Sequence, residues 1–519
     1  MSDPVVIVKQ GKLRGITVNG VLGSPYIAFR GIPFAAPPIG ELRFKDPQPP
    51  ASWTGIRDAT QNVTTYCSQF SEYPPSVFIG DEDCLYLNVY TPSLTQKKPV
   101  MFWIHGGSFI TGTGTDAATR PDYLITKDVV LVSPNYRLGA FGFLNLEHNL
   151  ASGNQGVKDL ILALKWVKEN IANFGGDANN ITVFGASAGG ALTHCLCISP
   201  LSKGLIQNAI LQSGNLNCCW AVEDRTKYSF KLAALLGKES NDSLEVLEFL
   251  RTIPAEKILD TSNKLLTDQE KRLVQLAFGP NIDLHSEEPV FPLPLKELLT
   301  HDTNINFIIG CTSHEYNLFL KKQTEETVKT LDDQLSDYVW RVIKSDDPVE
   351  IDRVTKITRD KYFDGKPISL EKISPLVDLM GKVYFVTPSN QLAQVRAKRH
   401  SAATYLYKFS YVGAEKTDMH LLKREYLVHG AAHVDELSYL FYQTLCKADN
   451  PEPPAIGTKD RIMLERLTRM WTNFAKTGNP TPSLDQYVET TWKSVTENQL
   501  NCLDIDDDMK IFTADPHFP

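Results

Sequence analysis

An α/β layered fold around a mostly parallel sheet is what this sequence predicts, and three observations predict it. Short, continuous apolar runs recur along the chain: VMFWI at 100–104, VVLV at 129–132, ITVF at 181–184, AIL at 209–211, FII at 307–309 and ATYLYKF at 403–409. Strands of this kind are buried on both faces, as in parallel sheets. Helical periodicity lies between some of them, most plainly in GVKDLILALKWVKENIANF at 156–174, and strand–helix–strand succession is the pattern of an α/β sheet. No low-complexity linker or internal repeat interrupts the 519 residues, so one large unit over 1–519 is expected. Residues 221–300 and 320–400 carry more charge and helical periodicity. They are expected to be helical insertions lying over the sheet edge and covering a site.

Composition narrows the function classes. Apolar residues make up 42% of the chain, ordinary for a soluble protein with a large core. The 53 basic and 61 acidic side chains give a net charge of -8 with no basic tract. Nucleic acid and anionic membrane surfaces are therefore not expected partners. The N-terminal MSDPVVIVKQGKLRG lacks a charged segment followed by a long apolar one, no apolar run is long enough to span a bilayer, and ADPHFP at the other end carries no retention address. The expectation is a cytoplasmic protein. Nine cysteines, an odd number, fit a reducing compartment better than a disulfide framework. Neither Cys195 with Cys197 nor Cys218 with Cys219 has metal-ligand spacing, and all four read as small core residues. No metal and no cofactor is expected. Three N-x-S/T sequons, at Asn62, Asn180 and Asn241, read as chance matches.

The chemistry concentrates in ITVFGASAGGALTHCLCI at 181–198. An apolar strand runs into a G-x-S-x-G turn around Ser187, and a helix starts at once. This strand–turn–helix context exposes a serine oxygen and aims a helix N-terminus at developing charge. Small neighbours (Ala186, Ala188, Gly189, Gly190, Ala191) allow the close approach it needs. A serine nucleophile also needs donors for an oxyanion. FWIHGGSFITGTG at 102–114 follows a strand and offers consecutive backbone N–H groups, at Gly107 and Ser108, to join that of Ala188. The base and its orienting acid should follow the serine. His433, in HGAAHVDELSYLF, competes with His429 for the base. Glu315, just after the 307–309 strand, competes with Asp435 and Glu436 for the acid. Spacing leaves both choices open.

Several stretches together resemble the type-B carboxylesterases, the cholinesterase-like branch of the α/β-hydrolases. They are FRGIPFAAPPIGELRF, EDCLYLNVYTP, WIHGG, NYRLGAFGFL, FGGDANNITVFGASAGG, AILQSG and FAKTGNPTP, and the resemblance runs from near residue 3 to the C-terminus. It implies an α/β-hydrolase fold whose helical insertions cover an active-site gorge. It also implies a triad of Ser187, Glu315 and His433, through the patterns G-x-x-x-x-E from Gly310 and G-x-x-H from Gly430, and an oxyanion hole of Gly107, Ser108 and Ala188. The implied activity is serine carboxylesterase, by way of an acyl-enzyme, on small-molecule esters, with organophosphates as inhibitors. Two positions depart from the family pattern: Ala186 stands where glutamate is usual, and Ser108 where a third glycine is usual.

The segment between Cys67 and Cys84 contains no tryptophan, unlike the cation-binding loop of cholinesterases. These two cysteines occupy positions that are bonded in secreted relatives and are open to reduction in a cytosolic chain; the sequence leaves their bonding undecided. Juvenile hormone esterases usually carry GQSAG, which Ala186 breaks, although G-x-x-H-x-x-E is kept at 430–436. The closer resemblance is to insect α-esterases of the cytosolic, detoxifying kind, in which a tryptophan shortly after LQSG lines the acyl pocket; Trp220 matches it. Stoichiometric sequestration of toxic esters and a juvenile hormone esterase-like activity are the alternatives.

Overall fold

The computed structural model describes residues 3–61, 65–300, 303–399 and 402–519; the sequon at Asn62 lies outside them. Eleven strands form the main sheet: β1 (Ile16–Asn19), β2 (Pro25–Pro33), β3 (Tyr86–Thr91), β4 (Lys98–Ile104), β5 (Val130–Pro134), β6 (Gly176–Ala186), β7 (Asn208–Gln212), β8 (Asn306–Thr312), β9 (Thr404–Phe409), β10 (Asn501–Ile505) and β11 (Lys510–Thr513). Their order across the sheet is β11-β10-β9-β8-β7-β6-β4-β5-β3-β2-β1. The strands from β5 to β10 pair in parallel, and both margins are antiparallel. All six apolar runs fall in the parallel part. The margins β1, β2, β3 and β11, and also β10, lie outside those runs. In β10 the sequence NCLDI interrupts its apolar residues with Asn501 and Asp504, which masks the strand.

Alternation along β4 divides its side chains between two cores. Val100, Phe102 and Ile104 face the helices α1 (Gln155–Asn170) and α2 (Ala188–Ile198), while Met101 and Trp103 face α3 (Lys459–Thr477). The α1 helix buries Val157, Leu160, Ile161, Leu164 and Val167, the three- and four-residue spacing of one helical face. In α3, Leu467, Met470, Trp471 and Phe474 fill the opposite side. Thr458 caps its start by accepting from Arg461 N at 3.2 Å, and Gly478, in the left-handed region at φ 74°, ends it. Each Leu or Phe fully buried in this way contributes about 1.5–3 kcal/mol.

Within 221–300 the chain forms helices including Thr226–Leu235, Ser243–Arg251 and Ala255–Ser262. Within 320–400 it forms, among others, Glu325–Asp333, Pro348–Phe363 and Thr387–Lys398. A π-helical turn at Lys382–Val386 follows the helix Ile373–Gly381. Among the described residues no helix is long and apolar enough to cross a membrane.

One question left open by the sequence is answered. Cys67 and Cys84 are joined in a disulfide, and the other seven cysteines are free and buried. An odd total says nothing about a single bridge. The pairing depends on two loop positions that the fold brings together.

Candidate active site

The sheet changes direction of growth at β4: the chain lays β5 on one side of it and β6 on the other. Loops after the carboxyl ends of β4 and β6 open into the crevice at this reversal, where open α/β sheets hold their ligands. Ser187 stands at the end of β6 with φ 58° and ψ -124°, a backbone conformation that costs of order 1–3 kcal/mol and persists only where its surroundings enforce it. The enforcement is visible. Ser187 N donates to Gln212 O of β7 at 2.8 Å, and Ser187 O accepts from Ala191 N at 3.1 Å. Backbone presses on the turn from both sides: a Cβ added at Gly189 would lie 2.1 Å from Ile104 O, and one at Gly214 would lie 2.1 Å from Ser187 O. Only glycine fits either position.

The loop after β4 is a second strained turn. Gly107, Ser108 and Phe109 have φ values of 107°, 54° and 63°, unusual for the last two. The Phe109 ring is fully buried, against Phe143 and Trp220, and Phe109 O accepts from Gly139 N at 2.8 Å. Gly107 O accepts from the N–H groups of Ile110 and Thr111, each at 2.9 Å. Gln69, from the disulfide loop, clamps Gly112 by accepting from its N and donating to its O, both at 2.8 Å. The N–H groups of Gly107 and Ser108 donate to no protein acceptor among the described residues. That of Ala188 is in the first turn of α2, where no intrahelical partner exists.

Glu315 begins a 3₁₀ turn after β8 and is fully buried. Its Oε1 accepts from Ser213 Oγ at 2.6 Å and from Thr312 N at 2.7 Å, and its Oε2 meets His433 Nδ1. Every interaction of this carboxylate therefore fixes the imidazole it faces. The other imidazole nitrogen, His433 Nε2, is buried without a partner among the described residues. His433 and Ser187 line one chamber of about 140 Å³, together with Gly106, Gly107 and Ser108. The rings of Phe319 and Phe385 pack on the imidazole with centroids at 5.1 and 4.8 Å.

The competing candidates separate in space. His429 is exposed. Asp435 accepts from Ala432 N at 2.7 Å and Tyr426 OH at 3.0 Å; Glu436 accepts from Gln212 Nε2 at 2.9 Å and Tyr407 OH at 3.4 Å. Burial pushes each of these two carboxyls up to about 7, and each keeps one oxygen unpartnered. His105 stacks on Tyr136, and burial lowers it to about 4, so its ring is neutral at physiological pH.

Trp220 does not line this chamber. It is 4% exposed and packs between Phe109 and Phe385, with Nε1 donating to Tyr384 O at 3.0 Å in the π-turn. Ala186 does line it, beside Trp103 Nε1 and Thr119 Oγ1, both unpartnered among the described residues. Sequence reasoning missed Ser213, Phe319 and Phe385. Ser213 lay in the AILQSG stretch, directly after β7; nothing in the sequence marked the two phenylalanines.

The sequence profile of the Carboxylesterase family matches residues 2–517. Esterase E4 of Myzus persicae is 33% identical over 517 residues, spanning 96% of this chain and 90% of that protein. The juvenile hormone esterase of Tribolium castaneum is 32% identical, over 95% of this chain and 86% of that one. The crystal structure of juvenile hormone esterase from Manduca sexta, with OTFP covalently attached, superposes with a TM-score of 0.86 at 29% identity, covering 99% of this chain and 97% of that chain.

Proposed function

The chain belongs to the carboxylesterase family, with an α/β-hydrolase fold and carboxylic ester hydrolase activity, and from that premise we infer that Ser187, His433 and Glu315 carry the reaction. The observation behind this reading is the charge-assisted pair of Glu315 and His433, whose free Nε2 shares a chamber with Ser187. His433 Nε2 takes the proton of Ser187 Oγ as that oxygen attacks the ester carbonyl. Glu315 holds the tautomer with the proton on Nδ1 and stabilises the imidazolium. The N–H groups of Gly107, Ser108 and Ala188 receive the tetrahedral oxyanion, and a donor in such a position is worth about 2.7–4 kcal/mol. His433 returns the proton to the departing alcohol. Water, deprotonated by the same nitrogen, then attacks the acyl-enzyme and releases the acid. An organophosphate would follow the first half of this path and stop at a phosphorylated Ser187.

The physiological role we propose is clearance of xenobiotic or lipid esters. As to compartment, the Cys67–Cys84 bond favours an oxidising one over the cytoplasm expected from the cysteine count. The test of the reaction is turnover of 4-nitrophenyl butyrate by wild type and Ser187→Ala. Steady hydrolysis that the substitution reduces by about 10⁴-fold or more, in the manner of a lost triad member, supports the reading. Retained turnover in Ser187→Ala overturns it. A stoichiometric burst without turnover in wild type would instead favour sequestration.

A further inference from the structure

Beside the Ser187 chamber lies a second, larger lobe. This lobe, of about 790 Å³, shares Ser108 and Phe319 with the chamber. Its floor is apolar, formed by side chains such as Ile110, Leu266, Phe278 and Leu331, and the wall residue Val274 has φ 53°, a strained value for a β-branched side chain. Its charged lining is of one sign. Lys271, Arg272, Lys321 and Lys322 stand on it and no acid does. Arg272 Nε donates to Gln334 Oε1 at 3.0 Å. Lys271, Lys321 and Lys322 are exposed and have no ion-pair partner among the described residues. The chamber on the other side of Ser108 has no such cations: neither lysine nor arginine lines it, and desolvation pushes the carboxyl of its Glu72 up to about 7 and that of its Asp418 above the usual value. Asp418 Oδ1 there accepts from Tyr73 OH at 2.9 Å, and Thr111 Oγ1 donates to Glu72 at 3.5 Å.

In a chain of net charge -8, four cations and no acid in the lining of one apolar lobe concentrate positive potential next to the Ser187 chamber. We propose that this lobe receives an apolar ester arm bearing an anionic group several carbons from the scissile carbonyl, with Lys271, Lys321 and Lys322 recognising that group. The chamber offers that group two carboxyls and no lysine or arginine, so the two lobes together fix which arm of an asymmetric ester goes where. Attraction in one lobe and the lack of a lysine or arginine partner in the other both contribute to specificity. The ligand chemistry is that of a half-ester of a dicarboxylic acid, or an ester whose chain ends in another anion. The proposal rests on the reading of Ser187 as nucleophile only in placing the scissile carbonyl beside Ser108.

The experiment compares mono-4-nitrophenyl suberate with its methyl ester, which has the same reacting carbonyl and leaving group but no charge. It uses wild type and K271E/K321E/K322E. The ratio of the two kcat/KM values is expected to fall at least tenfold in the variant, with 4-nitrophenyl acetate turnover within twofold of wild type. In wild type, 0.5 M NaCl should lower the ratio, because exposed charges are screened over about 3–10 Å across this salt range. The same three lysines changed to alanine should give an intermediate fall. Equal ratios in wild type and charge-reversed protein overturn the proposal. In a Ser187→Ala background, equilibrium binding of the two esters supplies a readout independent of turnover. A tenfold weakening confined to the charged ester supports the anionic lobe even if acetate hydrolysis shows the nucleophile to lie elsewhere. Equal binding in both backgrounds overturns it.

Discussion

At the scale of single residues, the proposed base was the least legible part of the candidate site. His429 and His433 stand four positions apart on one loop, and local pattern cannot separate them. The distinction comes from Glu315, 118 residues earlier, which reaches Nδ1 of one and not the other. Ser187, the proposed nucleophile, was far easier to read, because its strained turn needs a local pattern of small residues. Trp220 is the opposite case. The sequence and the family resemblance pointed to the acyl wall, whereas the structure sets Phe385 between the indole and His433. We expect Trp220→Leu to act through that ring, by letting Phe385 move back from the imidazole. kcat/KM for esters branched at the acyl carbon should rise several-fold relative to acetate. Part of an aromatic-to-smaller cost in a core, bounded by about 3–5 kcal/mol, should appear as a lower Tm. Branched and unbranched esters responding equally would remove Trp220 from the acyl side.

At the scale of elements, the parallel strands were legible because burial on both faces leaves an unbroken apolar run. The margins were not: the edge strands β1 and β11 are largely exposed, and the buried β2 and β3 break their apolar runs with Arg30, Gly31 and Asn88. The π-turn at Lys382–Val386 was equally hidden: its role depends on Trp220 Nε1 reaching Tyr384 O across 164 residues. The loop from Cys67 to Cys84 stands out in the sequence by its missing tryptophan, yet its structural contribution is Gln69, held near the bridge and clamping Gly112 behind the turn of Gly107 and Ser108. Closing a loop of this length stabilises by about 3 kcal/mol in the chain-entropy account. C67S/C84S should therefore lose stability on that order. It should also lose kcat more than the affinity for a neutral ester, because the turn that carries Gly107 and Ser108 is loosened. Denaturant titration and steady-state kinetics on the same preparation check both; a stability loss with unchanged kcat would separate the bridge from the turn.

At the scale of the whole molecule, protonation links the site to stability. Asp435 and Glu436 are held at about 7 by burial, above their usual 3.8 and 4.5. The folded chain binds these protons more tightly than the unfolded one. Their contribution to stability is therefore complete below about pH 4, declines as pH rises, and is gone above about pH 7. Glu436→Gln keeps an amide of the same shape beside Gln212 and removes that titration. The Tm difference between Glu436→Gln and wild type should widen in the variant's favour between pH 4.5 and 8. Parallel Tm–pH curves would show that burial of Glu436 is not the cause.

The crowding around Ser187 bears on how this scaffold can change. Gly189 and Gly214 meet backbone oxygens rather than movable side chains, so randomising either codon would yield one surviving amino acid and a library of unfolded clones. Walls built from side chains, at Leu318 and Phe319, carry no such restriction. Lineages and laboratory selections alike are thus channelled. New substrates are reached by recutting the surface of the cleft, while the bend that presents the hydroxyl is inherited unchanged.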